Sequence, residues 1–297
     1  MQNLAGKVAF ITGGASGIGL AMADAFADSG MKLVIADVDT EALAAVAQSF
    51  RGRNVPVLTL ELDVTDRAAF AAAADRAYAE FGAVHLLCNN AGVYRGGALD
   101  RVTFEDWDWV LGVNVGGVVN GIQTLLPRMR EQGRSKGPAG HIVNTASMAG
   151  LSAGAGLGVY NASKYAVVGL SEALRADLAP HGIGVSVLCP GMVRTGILDS
   201  ERNRPAERAA DDAEAEQAAR EHNAFMQAMM ASGIDADHVA RIVLEGVRDN
   251  RFWLLSHPEM KPMVEARSAE LLDAFGEPDP ERLATLQQVL SGLQPDS

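Results

Sequence analysis

A chain of 297 residues, 48% hydrophobic and 21% charged, has the composition of an ordinary globular protein, long enough for one large domain or two small ones. Its formal net charge of −12 excludes nucleic acid or an anionic membrane surface as principal partner, because a phosphate binder needs a basic face and no Lys/Arg run is present. Two cysteines, Cys88 and Cys189, sit in apolar runs and read as reduced core residues of a cytoplasmic protein.

From the start, the chain alternates short apolar runs with longer Ala-rich helical patterns. The N-terminus reaches Lys7-Val8-Ala9-Phe10-Ile11 at once, without a basic-then-apolar leader. No apolar stretch approaches the ~20 residues of a membrane span. Strands are expected over 8–12, 33–36, 55–62, 86–89, 141–145 and 184–189, with helices over 17–29, 40–50, 66–81, 103–132 (as a pair) and 159–179. A last unit pairs a helix over 235–249 with a strand over 251–256. Strands apolar throughout and separated by helices predict an α/β fold, a Rossmann-like, doubly wound parallel sheet in a single domain. Two segments break the rhythm. Residues 191–233 form an insertion shaped like a substrate loop, charge-rich at first and then apolar in Phe225-Met226-Gln227-Ala228-Met229-Met230. Residues 258–297 read as a C-terminal helical tail, leaving 1–257 as the main body.

The first strand runs into Thr12-Gly13-Gly14-Ala15-Ser16-Gly17-Ile18-Gly19 and then a helix. Glycines there allow a tight turn and let a pyrophosphate approach the N–H groups at the helix N-terminus. The spacing is G-x-x-x-G-x-G, distinct from G-x-G-x-x-G. The second strand ends at Asp37, where a carboxylate either hydrogen-bonds an adenosine ribose 2′-hydroxyl or caps the next helix. An acid there repels a 2′-phosphate, and the glycine loop holds no Arg or Lys to offset it, which favours NAD over NADP. Asp63-Val64 ends the third strand and either holds an adenine edge or caps the helix from Asp66. Tyr160 and Lys164 lie one helical turn apart. Bringing a phenol from ~10 to about 7 needs roughly 4 kcal/mol, much of which one half-buried cation can supply. His85 and His141 fall in or beside strands and read as structural. The six histidines include no metal-type pair, so no metal is expected.

These motifs, in this order, make the chain resemble the short-chain dehydrogenases/reductases over residues 4–256, in the branch with a T-G-x-x-x-G-I-G loop. Asn89-Asn90-Ala91-Gly92 matches the family's N-N-A-G signature, and Asn114 falls where the family has a helical Asn. Ser147 closes the fifth strand, Tyr160 and Lys164 form Y-x-x-x-K, and Pro190-Gly191-Met192-Val193-Arg194-Thr195 follows the sixth strand. The resemblance implies that Tyr160 exchanges the proton with the substrate oxygen, and that Ser147 hydrogen-bonds that oxygen. Lys164 is implied to hold the nicotinamide ribose and lower the Tyr160 pKa, and Asn114 to support a water-mediated proton path. It also places Gly13, Ser16, Gly17, Ile18, Gly19, Asp37, Asp63, Val64, Asn90, Ala91, Gly92, Pro190, Gly191, Val193 and Thr195 around the NAD cofactor, and implies a homotetramer or homodimer.

The expected activity is NAD-dependent interconversion of a secondary alcohol and a ketone, with no nucleic acid and no membrane as partner. Epimerases and dehydratases of the longer branch carry T-G-x-x-G-x-x-G, which Thr12–Gly19 does not match. A non-catalytic binding relative usually lacks one of Ser, Tyr or Lys, all present here. Tyr94, Met148, Leu151, Met192, Ile197 and residues 225–230 are candidates to line an apolar pocket for a bulky or aromatic substrate. Ser200-Glu201-Arg202-Asn203-Arg204-Pro205 and the extended tail are similar to the Cα-dehydrogenases of lignin-derived aryl ethers. A 3-oxoacyl or hydroxysteroid-type substrate is the alternative.

Overall fold

The computed structural model describes residues 1–136, 140–204 and 213–292. Seven strands form one parallel sheet: β1 (Val8–Thr12), β2 (Lys32–Asp37), β3 (Val57–Glu61), β4 (Leu86–Asn89), β5 (Gly140–Thr145), β6 (Ile183–Cys189) and β7 (Trp253–Leu255), in the order β3-β2-β1-β4-β5-β6-β7. All five residues of β1 and all four of β4 are buried, as a sheet covered on both faces requires. The helices are α1 (Gly17–Asp28), α2 (Thr40–Gly52), α3 (Arg67–Phe81), α4 (Phe104–Leu111), α5 (Gly117–Lys136), α6 (Gly158–Leu178), α7 (Ala213–Met230), α8 (Ala236–Asp249), α9 (Lys261–Asp273) and α10 (Pro280–Gly292).

Side-chain alternation along the strands decides which helix covers which face. Ala9, Ile11, Leu33, Ile35, Cys88 and Leu254 join Met22 and Phe26 of α1, Val46 and Phe50 of α2, and Val239 and Val243 of α8 in one core. Phe10 points the other way and stacks on Phe70 of α3, ring centroids 5.9 Å apart. Cys88 and Cys189 are buried free thiols. His85 accepts the Val8 N–H, and His141, pushed down to about 3 by burial, meets the Ser186 hydroxyl at 2.7 Å; both histidines belong to the sheet.

Three features depart from the sequence expectations. β3 is shorter than 55–62 because it starts only after Pro56, which has no N–H for the ladder. The helical pair at 103–132 is joined by a five-residue π-turn, Gly112–Gly116. The continuous run Phe104–Gly133 is, by length and composition, apolar enough to cross a membrane. Its side chains Val118, Ile122, Leu125 and Met129 are buried, in the part of the run that packs on the sheet.

The chain divides into two compact units, Met1–Pro258 and Glu259–Ser297. The second contains α9 and α10, on which Leu271, Leu272, Leu286 and Val289 are exposed.

Candidate active site

The strand order reverses at β1, so the carboxyl ends of β1 and β4 open onto a crevice where ligands bind in this architecture. The turn after β1 is tight. Gly13 has φ +60°, and a Cβ on Gly19 would stand 2.0 Å from the Gly13 carbonyl oxygen, so neither position accepts a side chain. Ser16 opens α1 in an extended conformation, without a side-chain cap bond and with no acidic residue in the first turn. The first N–H groups of α1 and the positive end of its dipole are thus left for an anion, and the residues present fit a pyrophosphate. Ile18 packs its side chain on the core and offers the site only backbone.

Asp37 does not cap α2. That role belongs to Asp39, whose carboxylate accepts the Ala42 N–H. Asp37 accepts the Ala15 N–H at 3.0 Å and the Asp39 N–H at 3.1 Å, bracing the glycine loop from the end of β2. Asp63 likewise is not the cap of α3, which is Asp66. Asp63 is exposed and accepts the Thr65 N–H, while Val64 is buried against Gly117 and gives its carbonyl to Asn120.

Asn90 works as a staple. Its amide donates to the Thr12 and Gly13 carbonyls, each at 3.1 Å, and its oxygen accepts from the Thr145 hydroxyl at 3.3 Å. The Thr12 hydroxyl oxygen accepts both the Asn90 and Ala91 N–H groups, a contribution of Thr12 that the glycine pattern conceals. Gly92 keeps a passage clear: a Cβ there would lie 3.3 Å from Asn114 Oδ1 and 3.6 Å from Lys164 Nζ. Asn114, in the π-turn, spends both amide protons on the Val93 carbonyl and the Ser163 hydroxyl and accepts the Val93 N–H. Single π-turns frequently mark functional sites.

Tyr160 and Lys164 share α6, and Ser147 stands just beyond β5. Lys164 is 3% exposed, donates to the Thr145 carbonyl at 2.9 Å, and lies 5.5 Å from the centre of the Tyr160 ring. Burial pushes the Lys164 ammonium down to about 8. Burial also pushes the Tyr160 phenol up to about 12, against a hydrogen bond from Ser147 that favours the phenolate. With Lys164 turned onto Thr145, desolvation outweighs it, and the sequence expectation of a lowered Tyr160 is not met in the protein alone. Tyr94 packs its ring edge-on to Tyr160 at 5.2 Å, and its N–H donates to the Ser200 hydroxyl at 3.2 Å.

The turn after β6 completes the group. The Pro190 carbonyl accepts the Met148 N–H, and Thr195 stands against the glycine loop, about where a Cβ on Gly17 would point. Val193 is buried in the core, its backbone bridged to Ile234. A cavity of about 350 Å³ opens beside Thr195, lined by Arg194, Leu198, Asp199, Gln227, Met230 and Ala231. Met148, Leu151, Met192 and Ile197, expected to line an apolar pocket, are not among the residues lining this cavity. Gln227 and Met230 come from the expected 225–230 segment, while the Phe225 side chain lies outside the described residues.

Sequence spacing gave no sign of a buried ionic cluster beside this wall. Asp106 on α4, with no exposed surface, meets Arg95 at 3.0 Å and Arg204 at 2.8 Å. Glu201 reaches Arg204 at 2.9 Å and Arg95 at 3.8 Å, and the Arg204 guanidinium lies over Trp109. The cluster ties the segment carrying Ser200 to α4.

A family model described as short chain dehydrogenase matches residues 7–206. The chain is 37% identical over 284 residues to the C alpha-dehydrogenase of a Sphingobium species, covering 95% of this chain and 91% of that one. A Burkholderia phymatum short chain dehydrogenase/reductase, crystallised in complex with NAD, superimposes with TM-score 0.88 at 41% identity, over 94% of this chain and 99% of that one. The apo form of LigO from Sphingobium gives TM-score 0.80 at 40% identity over the whole of both chains.

Proposed function

The chain belongs to the short chain dehydrogenase family, and from that premise we propose that it is an NAD-dependent oxidoreductase interconverting a bulky aromatic or largely apolar secondary alcohol with its ketone. The observation that carries this reading is the convergence of Ser147, Tyr160 and Lys164 beside the glycine loop, with Lys164 donating to the Thr145 carbonyl two residues before Ser147 and its ammonium 5.5 Å from the centre of the Tyr160 ring. Bound NAD supplies a hydride acceptor and a positive ring charge.

The chain's own residues handle the proton. Held near 12, Tyr160 rests as a neutral phenol, the form that donates a proton to a substrate carbonyl oxygen. In the oxidative direction the same oxygen takes the alcohol proton, and it needs added positive charge nearby to do so at neutral pH. Ser147 holds the reacting oxygen. Lys164 holds ribose hydroxyls, and its ammonium favours the phenolate. Both amide protons of Asn114 are spent on Val93 and Ser163, so its side chain has no proton left to donate to a relay toward Lys164. Asp37, braced on Ala15, accepts from a ribose 2′-hydroxyl and repels a 2′-phosphate, which makes NAD the preferred cofactor over NADP.

The Tyr94 ring, edge-on to Tyr160, supports an aromatic alcohol. The similarity to a C alpha-dehydrogenase points the same way. The test is NADH formation across a panel of aryl, steroid and acyl secondary alcohols. Turnover with aryl alcohols is expected, and activity confined to charged sugars would overturn the reading.

A further inference from the structure

The turn that follows β6 is held from the far end of the sheet by a histidine that no motif singles out. His257 lies two residues beyond β7, is 7% exposed, and uses both ring nitrogens on the two residues after Pro190. Its Nδ1 accepts the Gly191 N–H at 3.1 Å, with the Ser256 hydroxyl at 2.8 Å from the same nitrogen. Its Nε2 meets the Met192 carbonyl at 3.0 Å. A backbone N–H only donates and a carbonyl only accepts, so this arrangement admits one form of the ring: neutral, with its proton on Nε2. The Met192 carbonyl also accepts the Ile234 N–H, so the imidazole ties the end of β7 to the two residues after Pro190 and, through that carbonyl, to the segment before α8.

That pair of residues is placed to matter for one half of a dinucleotide. β6 lies on the opposite side of β1 from β2, which carries Asp37, and it neighbours β5, which leads to Ser147. The Pro190 carbonyl accepts from Met148, one residue after Ser147. The turn therefore borders the reactive end of the site and not the adenosine end. A shift of a few tenths of an ångström at Gly191 and Met192 moves the wall beside Ser147 first, because the turn meets the glycine loop further along, at Thr195.

We propose that His257 is a positioning residue for the cofactor: it clamps residues Gly191 and Met192 from either side, at the Gly191 N–H and the Met192 carbonyl, and so sets the seat of the nicotinamide half of NAD. The inference rests on the reading above that the 190–195 turn belongs to the cofactor site. The clamp acts through two hydrogen bonds to backbone groups. Their loss weakens NAD by about tenfold, the size of one buried hydrogen bond.

The test compares dissociation constants of the full-length protein for NAD and for ADP-ribose, which lacks the nicotinamide. His257→Leu is expected to raise the NAD value about tenfold and leave that of ADP-ribose within about twofold. His257→Asn, which keeps an acceptor where Nδ1 stands, and His257→Gln, which keeps a donor where Nε2 stands, are each expected to recover part of the loss. These two polar variants also decide the matter if His257→Leu does not fold, since each then weakens NAD alone by severalfold. Equal weakening of both ligands would overturn the proposal in favour of a purely structural histidine. Unchanged NAD affinity in the His257 variants, with Gly191→Val weakening NAD, would overturn it while leaving the turn in the site. If Gly191→Val also leaves NAD binding unchanged, the reading of the turn falls and the inference with it.

Discussion

Replacing Asp106 with alanine removes the carboxylate shared by two arginines that are 5% and 3% exposed. Breaking a buried ion pair from one side costs about 3–5 kcal/mol, because cationic groups already stripped of water lose their partner. The Thr103 N–H, which Asp106 accepts at 3.0 Å in a capping box, also loses its partner. Glu201 still reaches both guanidiniums and is 43% exposed, which holds the loss near the lower figure, about 3 kcal/mol. For a unit of this size each kcal/mol moves Tm by about 2–4 °C, so Asp106→Ala is expected to lower Tm by about 6–12 °C. Thermal unfolding followed by tryptophan fluorescence reads this directly, since Arg204 lies over Trp109. The same variant loosens the segment that sets Ser200 on Tyr94, so KM for the alcohol rises more than KM for NAD. A Tm within about 2 °C of the parent would refute the view that this cluster anchors the loop.

Asp37→Ala removes the brace on the Ala15 N–H and, on the proposed reading, the acceptor for a ribose hydroxyl. NAD affinity is expected to fall about tenfold or more, with the NAD-to-NADP preference relaxed; an unchanged ratio of dissociation constants would leave Asp37 as a loop brace only. The Tyr160 phenol, raised to about 12, stays protonated at neutral pH in the absence of NAD. A tyrosinate absorbance difference between the parent and Tyr160→Phe therefore shows no titration near pH 7 without NAD. Adding NAD brings in positive charge that favours the phenolate, so the Tyr160 titration is expected to move to lower pH on binding. A phenol already ionised near pH 7 in the protein alone would contradict the assigned burial.

The sheet and its helices were legible because strands buried on both faces have to be apolar throughout, and β1 and β4 are. Tyr160 and Lys164 were legible as a pair because four residues make one helical turn. Less readable was what surrounds them. The π-turn at Gly112–Gly116 leaves the apolar pattern of 103–132 unbroken, so a helical pair was foreseen but not the turn that carries Asn114. In Asp37-Val38-Asp39 either acid could cap α2, and only the position of Ala15 assigns Asp37 to the loop. Arg204 and Asp106 are 98 residues apart, and His257 and Gly191 are 66 apart. No local periodicity encodes such meetings. Spacing also says nothing of desolvation, which is why Tyr160 stands above its ordinary value where a lowered one was expected.

In the proposed NAD-linked alcohol oxidation, Tyr160 is the group that moves the proton. The most direct test of that role is NADH formation from an aryl secondary alcohol by the parent protein and by Tyr160→Phe, with NAD affinity measured for both. Tyr160→Phe is expected to turn over at least about 100-fold more slowly with NAD binding retained, and near-normal turnover by this variant would contradict the role of Tyr160.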